Sequence, residues 1–242
     1  IIFQILGVLN YLITSKRKFS IPVICVGNIY VGGTGKTPLC LKIAEMLKHI
    51  KKKPSIVKKF YKQHSDEIAL IRSKIDCLEV DTNRVNALRK IESKDYNVAI
   101  LDDGFQDNSI VKDLNILCFN ENQLIGNGMV MPSGPLRQPL NSIKKSHIII
   151  INGSTNINFE NLIYKFSKDI VIFYSKYIPT NIDKFKDKEL LAFAGIGNPE
   201  NFFHLLDENN LSIKKKISFP DHYNYHKNEL EDILKIAKEN NL

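Results

Sequence analysis

The run Val31-Gly32-Gly33-Thr34-Gly35-Lys36-Thr37 constrains this chain more than any other stretch, because of what flanks it. Before it lies an apolar, β-branched run at 21–26 that reads as a buried strand. After it, Leu39, Cys40, Ile43, Ala44, Met46 and Leu47 recur along one side of a helix over 37–50, with Lys42, Glu45 and Lys48 on the other. Strand, glycine-rich loop and helix in that order make a phosphate site. Gly32, Gly33 and Gly35 let the backbone take positive φ and bring N–H groups to an anion with no Cβ in the way. Thr34 lies inside the same cradle, and the helix start adds free N–H groups and a positive dipole end. Lys36 can reach the outer phosphates, and the Thr37 hydroxyl suits Mg²⁺. The front of the loop is irregular: the full pattern has glycine five residues before Gly35, where this chain has Tyr30. A glycine-rich turn before a helix is the plainer reading of the same residues.

The 242 residues suit one large α/β domain, or one domain with a smaller partner. The formal charge of +8 comes mostly from lysine, with five arginines, and favours an anionic substrate or an anionic membrane surface. Nucleic acid is not expected as a partner, because no basic stripe interleaved with aromatics occurs. Cys25, Cys40, Cys77 and Cys118 lie far apart with no Cys-x-x-Cys pair, which excludes a zinc ribbon or a disulfide frame.

Further along, 54–57 and 76–80 read as strands, 68–74 and 82–93 as helices, the second with Thr82 available as its cap. The strand at 97–101 ends in Asp102-Asp103-Gly104, an arrangement that binds or orients Mg²⁺ beside a phosphate loop and is also a turn signal. Strands at 114–119 and 147–151 continue the alternation, which predicts a mostly parallel sheet flanked by helices. The Gly- and Pro-rich segment 126–140 between them reads as a shaped loop, with Arg137 suited to a phosphate oxygen or left as a solvated turn residue. A boundary is expected over 179–187, dividing a domain at 21–180 from a smaller α/β domain at 188–242. The latter carries strands at 190–194 and 213–219 and helices at 200–206 and from 227 onward.

Residues 1–14 are apolar and Lys16, Arg17 and Lys18 follow at once. This is shorter than the roughly 20 residues of a membrane span. Membrane association through residues 1–20, with the basic triplet on the cytoplasmic side, stands beside a helix packed on the domain. Ile1 is not a start residue, so the chain is expected to continue upstream.

Several ordered stretches resemble the tetraacyldisaccharide 4′-kinase (lipid A 4′-kinase) family. They are Val26-Gly27-Asn28 with Gly32 to Pro38, Leu101-Asp102-Asp103-Gly104-Phe105-Gln106, Pro132-Ser133-Gly134-Pro135-Leu136-Arg137, Ala192-Phe193-Ala194-Gly195-Ile196-Gly197-Asn198-Pro199 and Phe219-Pro220-Asp221-His222. The resemblance implies a P-loop NTPase-like kinase at the cytoplasmic face of the bacterial inner membrane. Its cofactors would be ATP and Mg²⁺, and its acceptor the 4′-hydroxyl of a lipid A disaccharide 1-phosphate. No obligate protein partner is implied. Lys36 and Thr37 would serve the phosphates and metal, Asp103 and Gln106 the metal region, and Arg137 the transition-state charge. Asp66 would be the base, with His222 as its partner.

The departures from the family pattern are local. Lys59-Phe60-Tyr61-Lys62 replaces a glycine-rich Arg-Gly-Tyr-Gly-Arg loop, and Ser65 and Ile68 flank Asp66-Glu67 in place of Gly and Pro. Asp107 stands where His commonly follows Gln106, and Gln138 where Glu commonly follows Arg137. The chain also stops before the family's C-terminal Thr-Glu-Lys-Asp signature. Two other readings stay open on the sequence: a P-loop NTPase switch or chaperone for a protein partner, and a nucleotide-binding membrane protein without transfer activity.

Overall fold

Along the central strands, apolar side chains alternate between two faces and both faces are covered. Cys25, Leu101, Leu117 and Phe119 enter one core, while Val26, Ile100, Ile116 and Cys118 enter the other. That is the pattern of a parallel sheet sandwiched by helices, where a strand must be apolar on both sides. The computed structural model describes residues 15–61, 65–221 and 223–242, and the chain divides into two units, Ile1–Ser175 and Lys176–Leu242. The apolar segment at 1–14 lies outside the described residues.

The first unit holds strands β1 (Val23–Gly27), β2 (Pro54–Lys59), β3 (Leu78–Asp81), β4 (Val98–Asp102), β5 (Leu114–Asn120), β6 (Ile148–Asn152) and β7 (Val171–Ser175). Their spatial order is β3-β2-β4-β1-β5-β6-β7, and every neighbouring pair is parallel. Helices α1 (Lys36–His49) and α2 (Ser65–Lys74) lie on one face, where Cys40, Ala44 and Ile71 are buried. Helices α3 (Arg84–Glu92) and α4 (Ile157–Tyr164) cover the other through Ala87, Leu88, Ile91, Phe159 and Ile163. The chain leaves β1 toward β2 on one side and later reaches β5 on the other. The carboxyl end of β1 is therefore a topological switch point, where open α/β sheets bind ligands.

Three local expectations change. Helix α2 begins at Ser65, so Asp66 sits in its first turn and not in the preceding loop. The cap of α3 is Asn83, whose side-chain oxygen accepts from the Val85 N–H at 2.8 Å, so Thr82 stands one residue too early. Between 153 and 178, where periodicity alone pointed to no element, lie α4 and the edge strand β7. Both are short, and β7 keeps Val171 and Phe173 half exposed, so neither shows the long apolar pattern of a central element.

The second unit is a β-α-β arrangement followed by a helix: β8 (Glu189–Ala194), α5 (Pro199–Glu208), β9 (Ser212–Ser218) and α6 (Lys227–Glu239). Strands β8 and β9 pair in parallel, and Phe203 of α5 fills the core beside Ala192 and Ala194. Among the described residues no helix is long and apolar enough to cross a membrane.

Candidate phosphoryl-transfer site

All strands of the large sheet run the same way, so the ends of β1, β2 and β4 deliver their next residues to one edge. The register sets Val26 and Lys58 on either side of Asp102. From the end of β1 the chain enters the phosphate loop, where Gly32 and Gly35 take φ of 133° and 80°, values that a side chain would strain. Gly35 caps α1, and Lys36 and Thr37 form its first turn. Asn28, fully buried, spans the loop by donating to the Thr34 hydroxyl at 3.3 Å and the Gly32 carbonyl at 3.4 Å. The irregular Tyr30 is an anchor. Its ring is buried against Phe119 and its hydroxyl accepts the Asn120 N–H at 2.8 Å, tying the loop to the end of β5.

The Thr37 hydroxyl donates to Asp102 Oδ2 at 2.9 Å. The same oxygen accepts from Lys58 Nζ at 2.6 Å, while Asp102 Oδ1 is buried with no hydrogen-bond partner among the described residues. Asp103 turns the other way. Its Oδ1 lies 3.8 Å from Lys36 Nζ and 2.9 Å from an Arg137 nitrogen, and its Oδ2 accepts from the other Arg137 nitrogen at 3.2 Å. Burial pushes the Asp103 carboxyl up, but Lys36, Arg137 and Arg84 together hold it below the usual carboxylate range. Asp103 also has φ of 56°, an uncommon value for a residue with a side chain. It is held there by its own N–H on the Val26 carbonyl at 2.9 Å and by Arg84 on its carbonyl at 2.7 Å.

Arg137 reaches this point because its segment is laced to the phosphate loop. The Arg137 N–H donates to the Ile29 carbonyl at 2.7 Å, the Val31 N–H to Pro135 at 2.9 Å, and the guanidinium bonds the Asn28 side chain. Gln106 joins at the same residue, its amide nitrogen donating to the Asn28 carbonyl at 2.7 Å. Lys36, Asp103, Gln106 and Arg137 are therefore brought together around Asn28, with Thr37 on Asp102 beside them. Asp66 is exposed in the first turn of α2, and His222 lies outside the described residues.

Residues 6–242 match the family model of tetraacyldisaccharide-1-P 4′-kinase. The chain belongs to this family. The tetraacyldisaccharide 4′-kinase of Pelagibacter ubique is 44% identical over 98% of this chain and 77% of its own length. That of Rickettsia canadensis is 34% identical over the whole chain and 78% of its own length. A crystal structure of LpxK from Aquifex aeolicus, an "apo" form in complex with ATP, superposes with a TM-score of 0.70. It is 27% identical, over 93% of this chain and 80% of that one.

Within this kinase family, two site residues of the chain, Lys58 and Arg84, had no motif to announce them. Lys58 reads as one lysine in a basic run, yet it is buried between Asp102 and Glu67. Arg84 opens α3 and is buried, with its guanidinium on the Asp103 carbonyl and 3.6 Å from Asp107 Oδ2. That contact gives Asp107 a purpose in place of the family's histidine, along with its acceptance of the Ser109 N–H at 3.0 Å. Gln138 keeps an acceptor where the family has Glu, and its Oε1 is buried without a hydrogen-bond partner among the described residues. The missing signal for Lys58 and Arg84 is strand order and register, which set neighbours that no local pattern encodes.

Proposed function

We propose that this chain transfers the γ-phosphate of ATP to the 4′-hydroxyl of a lipid A disaccharide 1-phosphate. Family membership supports the reaction, and the observation that carries it for this chain is the Thr37–Asp102 hydrogen bond at the switch point. It joins the helix after the phosphate loop to a strand-end carboxylate, the pairing that P-loop enzymes use beside their phosphates.

The donor set suits Mg²⁺. Asp102 Oδ1 is a buried acceptor, unpartnered among the described residues, next to the Thr37 hydroxyl, and both can offer oxygen to a metal. Among the described residues no group of three or more His, Cys, Asp or Glu side chains could hold a metal, consistent with an ion held largely by substrate phosphates and water. Thr37 and Asp102 would hold it, with Asp103 and Gln106 as the further residues of the metal region. Bound there, the ion would neutralise charge on the phosphate oxygens.

The glycines of the loop, with Thr34, cradle the phosphates. Asp103 gathers two cations, Lys36 and Arg137, on one oxygen, so both are fixed before the transferring group arrives. Donors that need no reorganisation stabilise developing charge more than mobile ones do. Asp66, with His222 as the partner the family resemblance implies, takes the proton of the sugar hydroxyl as its oxygen bonds to the γ-phosphorus and the bond from that phosphorus to the departing ADP breaks. An acylated acceptor places the reaction at the cytoplasmic face of the inner membrane, a reading favoured by the apolar run at 1–14, the basic residues 16–18 and the charge of +8.

The test is transfer from ATP to the disaccharide 1-phosphate in detergent micelles. The 4′-phosphorylated product is expected from the wild type and none from Lys36→Ala. Undiminished product from that variant would overturn the assignment.

A further inference from the structure

Among the described residues, Lys58 is the buried lysine at this edge that the proposed chemistry leaves without a task. Only 4% of its side chain is exposed, and its ammonium meets two carboxylates from different elements. One is Asp102 at the end of β4, at 2.6 Å; the other is Glu67 in the first turn of α2, at 2.5 Å. Asp102 is fully buried, so its charge depends on this partner and on Thr37. Glu67 adjoins Asp66 on the same helical turn. A continuous path of polar contacts thus runs from the Thr37 hydroxyl through Asp102 and Lys58 to the turn that carries Asp66.

We propose that Lys58 is a positioning residue that couples the two sides of the site. One contact holds Asp102 against Thr37 on the nucleotide side; the other holds the Asp66 turn of α2 on the acceptor side. The proposal rests on the kinase reading for the meaning of the two sides, while the coupling itself is a property of this network. Lysine suits the task because its compact ammonium has three donors and can serve two carboxylates at once. Ile68 and Ile71 seat α2 on the core, and the Lys58–Glu67 pair adds a charged restraint on its first turn.

The measurement is amide hydrogen exchange over residues 65–70, with and without Mg·ATP, alongside calorimetric ATP affinity and transfer kinetics. In the wild type, Mg·ATP is expected to slow exchange across this turn several-fold. Lys58→Met and Glu67→Gln should lose most of that protection and kcat should fall about 10- to 100-fold, with Glu67→Gln binding ATP within about threefold of wild type and Lys58→Met, which also releases Asp102, binding it more weakly. Adding Lys58→Met to Asp66→Asn should cost little more than Asp66→Asn alone, because both act on one step. Should Lys58→Met fail to fold, Glu67→Gln decides, since it leaves the Lys58–Asp102 contact in place.

Variants that keep both the protection and the rate would overturn the proposal, as would a wild type that binds Mg·ATP without protecting the turn. A wild type that shows the protection but transfers nothing to the disaccharide would overturn the kinase reading and leave the coupling standing.

Discussion

The Thr37 hydroxyl donates to Asp102 Oδ2 at 2.9 Å, across a sequence separation of 65 residues. The contact exists because β4 lies directly beside β1, with Val26 in register with Asp102. An oxygen that serves both Thr37 and Lys58 is sensitive to its charge.

Asp102→Asn keeps the shape and removes that charge. It leaves the buried Lys58 ammonium with less compensation, and breaking a buried pair from one side costs about 3–5 kcal/mol. The expected outcome is a fall of about 100-fold or more in kcat together with a lower denaturant midpoint. Transfer kinetics and urea unfolding on the same preparation check both parts.

The Asp103–Arg137 fork predicts a pH dependence. The folded-state pKa of Asp103 is lowered, so the stability it contributes is present above its unfolded value of about 3.9 and is lost as pH falls through the lower folded value. Asp103→Asn should flatten the acid limb of the stability profile, and Asn tolerates the positive φ of this position, so the change isolates the charge. Urea midpoints measured from pH 3 to 7 give the comparison. A slope below pH 4 equal to that of the wild type would contradict the assignment.

Gly27, at the end of β1, and Gly33, in the phosphate loop, should differ sharply in what a side chain would cost. A Cβ on Gly27 would lie 2.5 Å from the Cβ of Phe105, whereas one on Gly33 would meet nothing within 4 Å. Gly27→Ala is expected to lose about 1–3 kcal/mol of stability by overpacking. Gly33→Ala should stay within about 0.5 kcal/mol of wild type. Equal midpoints for the two variants in denaturant unfolding would refute this.

Much of the fold was legible because it is written in local patterns. Strand, loop and helix around Gly35 follow from apolar periodicity and from glycines whose backbone must take positive φ. The double acid after β4 and the Pro-rich approach to Arg137 announced themselves by composition and position. The short helix α4 and the half-exposed edge strand β7 did not, since few of their side chains are fully buried. Asn156, which accepts the Phe159 N–H at 3.0 Å, was the available signal for α4.

The sequence by itself determined that a phosphate loop sits between a strand and a helix in an α/β chain, and its ordered motifs pointed to the kinase family. Only the tertiary structure decided which acid meets which partner. Asp102 and Asp103 are adjacent in the chain, yet one goes to Thr37 and Lys58 and the other to Lys36 and Arg137. The cause is physical. Successive side chains near a strand end point to different sides, and the partners come from the first turn of α1, from β2 and from the segment after β5, whose places around β4 and β1 are set by strand order and parallel register.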